Sequence, residues 1–306
     1  MNEDTSVGSA TPTSESSPDF DAERFKAMER AGFNRIATRY AQGAHSRRVI
    51  AEALLAAADL APGQSVLDLA SGPALLAAAA AQRVLPGGRL VASDLAETML
   101  LAAQQQLASE KGRHDALLFA AADAEQLCFT DGSFDRVLAG LALFMFPDPL
   151  RALRESARTL RPRGRIALSV WGRAEHVPLI TVAQTAIARV LGSPKVKRPS
   201  VFRFGDPTDL EQLLAEAGFD DIRIEPVAFT CDFFDAAAYW QGFLDLAGGV
   251  NQALANQPKH VLDQILTAID EALDAYRASP DAEPRLAARA WIASAGKPER
   301  CWSPRV

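Results

Sequence analysis

The spacing of hydrophobic residues changes along the chain from helical to strand-like, and this change outlines the fold. Between residues 21 and 59 apolar side chains recur every three or four positions, which predicts two or three helices. Short apolar runs bounded by glycine, proline or small polar residues then alternate with further helical stretches. The predicted strands are 65–70, 89–93, 116–121, 134–141 and 165–171. Alternating strands and helices indicate a parallel sheet covered by helices.

Beyond residue 171 helical patterns dominate, with helices predicted at 178–191, at 207–217 and over most of 235–278. Two more strands are predicted at 221–231 and 286–294. The expected fold class is therefore α/β, with a doubly wound, seven-stranded, mostly parallel, Rossmann-like sheet and helical additions that form a lid.

The same patterns divide the chain into segments. We expect a disordered tail, N-terminal lid helices, an α/β core that binds a cofactor, a helical insertion, a further core helix and strand, a helical lid, and a last strand with a tail. Their bounds are 1–18, 19–60, 61–172, 173–205, 206–232, 233–282 and 283–306.

Composition narrows the classes of function. The net charge of −6 and the pI near 5.4 argue against a nucleic-acid partner, because such proteins usually present a basic face to phosphates. No apolar run is long enough to span a membrane, and the start of the chain lacks the pattern of a signal peptide. The three widely spaced cysteines favour reduced thiols over disulfides or a metal site. We therefore expect a cytoplasmic protein without a bound metal.

The turn after the first strand is the first candidate for ligand binding. It runs from Asp68 to Ala74 and contains small residues where nucleotide-binding turns have glycines, but Gly72 is its one glycine. About 20 residues further on, the second strand ends at Asp94, whose carboxylate could accept hydrogen bonds from ribose hydroxyls or cap the next helix. Alanine at positions 70 and 74 disfavours a pyrophosphate ligand.

Four ordered motifs resemble those of the class I S-adenosylmethionine-dependent methyltransferases, in particular the branch of ubiquinone/menaquinone-biosynthesis methyltransferases. The resemblance covers about residues 33–230. The motifs are Val66-Leu67-Asp68-Leu69-Ala70-Ser71-Gly72-Pro73-Ala74, Ala121-Ala122-Asp123-Ala124-Glu125-Gln126-Leu127-Cys128-Phe129, Ser133-Phe134-Asp135-Arg136-Val137 and Leu160-Arg161-Pro162-Arg163-Gly164-Arg165. The first departs from the usual family motif at Ala70 and Ala74, where the family has glycines.

The resemblance implies S-adenosylmethionine as cofactor and a role for each matching residue. The methionine part would lie on the turn of Asp68, Ala70, Ser71 and Gly72, and the ribose on Asp94. The adenine would lie near Leu95, Met99, Asp123 and Ala124, with Asp123 bonded to its amino group. The backbone at Leu141 would line the sulfonium side, and Tyr40 would close over the cofactor from the N-terminal helices.

The reaction needs mainly alignment and exclusion of water, because the sulfonium is already a strong methyl donor. His176 and His45 are candidate bases if the acceptor must lose a proton, although both are more often packing or surface residues. Aromatic residues in the predicted lid suggest a small apolar or aromatic acceptor such as a quinone precursor, phenol or polyketide, methylated on oxygen or carbon. They are Phe202, Phe233, Phe234, Tyr239, Trp240 and Phe243. Met145, with the flanking Phe144 and Phe146, could form a wall for the acceptor but fits a core cluster slightly better.

Three alternatives stay open. An NAD(P)-dependent oxidoreductase shares the first turn and the acid after the second strand, but the missing glycines count against it. A protein of the same fold could bind the cofactor without methyl transfer, as the two alanines suggest, or use its positive charge for another reaction. The sequence does not decide whether the protein is a homodimer.

Overall fold

A computed structural model describes residues 20–43, 47–108, 116–192 and 198–299. Its centre is a seven-stranded sheet with the order β3-β2-β1-β4-β5-β7-β6. The strands are β1 Ser65–Leu69, β2 Arg89–Asp94, β3 Leu117–Ala121, β4 Phe134–Gly140, β5 Leu160–Trp171, β6 Asp220–Asp232 and β7 Arg285–Gly296. This confirms the predicted doubly wound α/β fold.

Ten α-helices are described, besides three short 3-10 turns. They are α1 Ala22–Gly43, α2 Arg48–Ala57, α3 Leu75–Val84, α4 Glu97–Ala108, α5 Pro149–Thr159, α6 Pro178–Leu191, α7 Pro207–Glu216, α8 Ala236–Leu246, α9 Gly248–Leu254 and α10 Lys259–Leu273. Local sequence explains two of the helix starts: the side chains of Asp148 and Asp206 cap α5 and α7, and a proline follows each of them. Among the described residues, no helix is both long and apolar enough to cross a bilayer.

The order of the strands in the sheet reverses between β1 and β4. The first five strands, β1 to β5, pair in parallel. Strand β7 lies between β5 and β6 and is antiparallel to both. The chain leaves β1 toward β2 on one side and later returns to β4 on the other. A crevice therefore opens at the carboxyl ends of β1 and β4, where ligands bind in doubly wound sheets.

Three hydrophobic clusters stabilise the described part of the molecule, two large ones and a small one between α1 and α4. The largest covers both faces of the sheet and includes the completely buried strand β1. The second is formed by α6, α8, α10 and the start of β7, with Tyr239 among its largest buried side chains. The hydroxyl of Tyr239 donates to Leu179 O at 3.1 Å and accepts from Ala183 N at 3.0 Å, which fastens α8 to α6.

Helix α1 connects the core to these additional helices. Its side chains Ile36 and Ala37 pack against Ala96 and Met99 at the start of α4. On its other side a β-carbon at Gly32 would lie 2.5 Å from Gly248 O, so the close crossing of α1 and α9 requires glycine. The N-terminal helix is thus packed against the edge of the ligand-binding crevice.

Candidate active site

A cavity lies at the carboxyl ends of β1, β4 and β5, beneath the junction of α1 and α2. The cavity is open to solvent, and its empty space including the open mouth is about 620 Å³. Its lining residues are Tyr40, Arg47, Ile50, Ala51, Leu54, Asp68, Ala70, Ser71, Gly72, Pro73, Leu75, Leu76, Gly140, Leu141 and Ser169. Six residues predicted from the sequence therefore meet in one place: Tyr40, Asp68, Ala70, Ser71, Gly72 and Leu141.

Asp68 is the most unusual group of this cavity. Its side chain is completely buried at the end of β1, and neither carboxyl oxygen has a hydrogen-bond partner among the described residues. Burial raises the pKa of Asp68 well above its ordinary value, and the nearby charge of Asp94 raises it further, while the backbone N–H of Ala77 opposes the rise without meeting hydrogen-bond geometry. A buried carboxyl without partners is costly to the fold, so its presence at a cavity suggests a role in binding a ligand.

The turn after Asp68 holds its backbone in an uncommon conformation. Ala70, Gly72 and Ala74 have φ angles of +48°, +54° and +57°. Glycine adopts such angles freely, whereas each alanine is strained by about 1–2 kcal/mol. Two alanines therefore occupy left-handed backbone positions at which glycine would be unstrained.

Asp94 stabilises this turn from the neighbouring strand. Its Oδ2 accepts a hydrogen bond from Gly72 N at 2.8 Å, and its Oδ1 accepts one from Ala96 N at 2.8 Å. Burial raises the pKa of Asp94, while these backbone hydrogen bonds oppose the rise. Asp94 thus holds the first turn and the start of α4, and does not line the cavity.

Tyr40 of α1 and Arg47, directly before α2, close one side of the cavity. The sequence predicts Tyr40 as a site residue but not Arg47. Arg47 Nη1 donates to the Tyr40 hydroxyl at 2.6 Å, and the guanidinium carbon lies 4.5 Å above the centre of the Tyr40 ring. A β-carbon at Gly72 would lie 3.4 Å from Tyr40 Cε1, so the ring packs against the turn. No motif marks Arg47, because tertiary packing alone brings it to the cavity.

The opposite side is formed by the ends of β4 and β5. Leu141 has φ +51°, and its N–H points to Ser169, with 3.1 Å to the carbonyl oxygen and 2.9 Å to Oγ. Ser169 was also not predicted as a site residue. Its hydroxyl fixes the backbone of Leu141 at the cavity wall.

The residues expected near an adenine lie outside this cavity, under α1. Met99 is buried against Ile36 and Ala37, and Leu95 is half-buried. Asp123 Oδ2 lies 2.7 Å from Lys26 Nζ of α1, while its Oδ1 accepts from Glu125 N at 2.9 Å. Ala124 is buried beside it. The structure thus groups these residues but covers them with the N-terminal helix.

Of the two candidate histidines, the structure describes only His176, and it lies away from the cavity. His176 is exposed at the end of a 3-10 turn, Ala174–His176, and is not a lining residue. His45 lies outside the described residues. The ionisable side chains that do line the cavity are Tyr40, Arg47 and Asp68.

The aromatic residues of the predicted lid are mostly used for packing. Tyr239 is buried in the second cluster, with Phe233, Trp240 and Phe243 packed around it, while Phe202 contacts the main core and Phe234 is 77% exposed. Phe144 is buried in the main core, with Met145 and Phe146 packed against it. The apolar lining of the cavity instead consists mainly of Ile50, Leu54, Leu75, Leu76 and Leu141.

Comparison with known proteins agrees with this geometry. Residues 67–168 match the family model described as a methyltransferase domain. Nocamycin O-methyltransferase of Saccharothrix syringae is 38% identical over 211 residues, which are 62% of this chain and 72% of that protein. The ubiquinone/menaquinone biosynthesis C-methyltransferase of Pectobacterium carotovorum is 30% identical over 171 residues, which are 52% of this chain and 68% of the relative.

Solved structures agree on the fold. The YcgJ protein of Bacillus subtilis superimposes with a TM-score of 0.56 at 20% identity, over 82% of this chain and 98% of that one. At this identity the match supports the fold alone.

Proposed function

Since the chain belongs to the class I S-adenosylmethionine-dependent methyltransferases and is related to the ubiquinone/menaquinone-biosynthesis enzymes, we propose that it methylates an oxygen or carbon atom of a small apolar or aromatic metabolite. Quinone precursors, phenols and polyketides are the acceptor classes that we expect. When bound, the cofactor supplies a sulfonium-activated methyl group.

The chemistry of the cavity fits the methionine part of this cofactor. Among the described residues, neither of the two buried Asp68 carboxyl oxygens has a hydrogen-bond partner, and the buried Ser71 hydroxyl has none either. An ammonium group would satisfy the carboxyl, since a charged hydrogen bond is among the strongest that a protein forms. The unpartnered Asp68 carboxyl is the observation that carries the cofactor assignment.

We assign the remaining cofactor contacts by the family motifs. The turn from Asp68 to Gly72 would bind the methionine part, and Asp94 would bind the ribose while holding Gly72 N. Leu95, Met99, Asp123 and Ala124 would surround the adenine, and Tyr40 and Leu141 would border the reacting end. Because Lys26 already pairs with Asp123, the adenine amino group would have to share or replace that contact.

The walls of the cavity support an apolar acceptor. Most of the larger side chains that line it are aliphatic, and they come from α2, the start of α3 and the end of β4. Such walls bind a flat apolar molecule and exclude water, which favours in-line displacement at the methyl group. One relative is named an O-methyltransferase and the other a C-methyltransferase, so their names are compatible with methylation of either an oxygen or a carbon atom.

Family membership disfavours the oxidoreductase alternative. Binding without methyl transfer has one observation in its favour, the strained alanines at positions 70 and 74. These alanines nevertheless leave the turn in the conformation that a glycine motif would adopt, so we favour an active enzyme.

Methyl transfer to defined acceptors tests the proposal. The purified chain is incubated with isotopically methyl-labelled cofactor and a panel of phenols, hydroquinones, enolisable polyketide-like diketones and, as the contrasting class, polar amines. We expect a labelled product from at least one aromatic or enolic acceptor, with its O-methyl or C-methyl position read by NMR. Cofactor binding without any labelled product across the panel would favour the binding protein, and labelling of polar amines alone would contradict the acceptor class.

A further inference from the structure

Arg47 has a side chain that the local structure holds in place but does not neutralise. It lies directly before α2 and lines the cavity together with Asp68 and Ser71. Its Nε is buried and has no hydrogen-bond partner, and among the described residues no carboxylate lies within ion-pair distance of it. By contrast, the neighbouring Arg48 is exposed and pairs with Glu52 at 3.2 Å.

Tyr40 holds the Arg47 guanidinium against the cavity. The ring lies under the guanidinium, and the hydroxyl accepts a hydrogen bond from Nη1. The same ring packs against Gly72 of the turn after β1. A guanidinium stacked on an aromatic ring loses little freedom when it binds a ligand, so its unused N–H groups are prepared to bind an anion.

Among the described residues, the cavity therefore contains an acidic group without a hydrogen-bond partner, Asp68, and a guanidinium, Arg47, that bonds to Tyr40 but whose Nε has no partner. An α-amino acid carries the complementary pair, an ammonium group and a carboxylate. We propose that Arg47 binds the carboxylate of the methionine part of the cofactor, which rests on the function proposed above. An anionic acceptor is the other ligand that could present such a group, and the experiment separates the two.

Calorimetry with two ligands that differ in the carboxylate isolates this contact. The ligands are S-adenosylhomocysteine and its decarboxylated analogue, and the proteins are wild type, Arg47→Met, Arg47→Lys and the control Arg48→Met. We expect Arg47→Met to weaken S-adenosylhomocysteine binding by about 10- to 100-fold, the usual range for a charged hydrogen bond. Binding of the decarboxylated analogue should change by less than about twofold, since it lacks the anion.

The other two variants test charge and position. Arg47→Lys keeps the charge but not the planar fork, so we expect an intermediate loss for the carboxylate ligand. Arg48→Met removes the same charge from the next residue and should leave both ligands unaffected. Tyr40→Phe, which keeps the ring, should weaken the carboxylate ligand by a few-fold only, because only one positioning hydrogen bond is lost.

Each contrary outcome overturns the assignment. Equal loss for both ligands in Arg47→Met would mean that Arg47 only supports the fold of the cavity, and thermal unfolding would report such damage. Unchanged binding of both ligands with a raised KM for the acceptor would assign the guanidinium to the acceptor. If the wild type binds neither ligand, the proposed function fails together with this inference, whereas wild-type binding with an unaffected Arg47→Met refutes this inference alone.

Discussion

Replacing Asp68 with asparagine should make the protein more stable and its cofactor binding weaker. The carboxyl is completely buried without a hydrogen-bond partner among the described residues, and burial raises its pKa well above 3.8. The folded protein therefore binds this proton at a higher pH than the unfolded chain does. Between the two pKa values the free energy of unfolding of the wild type falls as pH rises, whereas asparagine does not titrate.

The difference in the free energy of unfolding between Asp68→Asn and wild type should depend on pH. Below the ordinary pKa of 3.8 both proteins carry a neutral side chain here and should be about equally stable. Above it, asparagine should gain at most ~1.4 kcal/mol per pH unit, until the pH passes the folded-state pKa. The upper limit at pH 7 is ~4 kcal/mol, the free energy of holding such a group protonated there. Each kcal/mol corresponds to about 2 °C in melting temperature for a large domain.

Urea unfolding across about pH 5 to 8 measures this difference, and calorimetry measures the affinity for S-adenosylhomocysteine. We expect the stability gain to grow with pH and the affinity to fall by at least ~10-fold, since the ammonium group loses a charged acceptor. Asp135→Asn is the matched control, because Asp135 accepts from Ser65 N at 2.8 Å and from Arg161 Nη1 at 2.7 Å. That variant should lose about 1–2 kcal/mol. An Asp68→Asn variant less stable than wild type at neutral pH, or a stability difference independent of pH, would show that the Asp68 carboxyl is not held protonated by burial.

Three further substitutions test other parts of the structure. Lys26→Met should lower the free energy of unfolding, measured in urea, by about 2–4 kcal/mol. The reason is that the nearly buried carboxylate of Glu125 lies 2.7 Å from Lys26 Nζ and would lose its ion-pair partner. An unchanged urea midpoint would show that this ion pair is absent in solution. Ala70→Gly should raise stability by about 0.5–1 kcal/mol by relieving the φ of +48°, and a lower melting temperature would contradict the strain. His176→Ala should leave methyl transfer within about twofold of wild type, since the side chain is exposed away from the cavity; a loss of 10²-fold or more would establish it as the base.

The sequence predicted the parts of the fold that local patterns encode. Period-two and buried apolar runs located all seven strands, and prolines and glycines marked most of the ends of the helices. The main error in bounds was β5, which begins at Leu160 rather than at residue 165. Pro162 and Gly164 resemble the end of a helix, and the structure places an irregular segment here: Leu160 already pairs with Phe134, Arg163 has φ +63°, and regular pairing resumes at Arg165.

The sequence predicts only those residues of the candidate site that belong to a recognisable motif. The turn from Asp68 to Gly72 follows a buried strand and could be recognised, whereas Arg47 and Ser169 reach the cavity through the packing of distant elements. The lid aromatics were expected to face the acceptor, but Tyr239 lies in a second core. An aromatic residue at helical spacing fits a core and a ligand wall equally well, and only tertiary structure separates them.

The most direct test of the central claim is calorimetric binding of S-adenosylmethionine and S-adenosylhomocysteine to the wild-type protein, with NADH as the competing ligand. We expect micromolar or tighter binding of both sulfur ligands at one site and no binding of NADH. Preference for NADH, or no binding of either sulfur ligand, would contradict it.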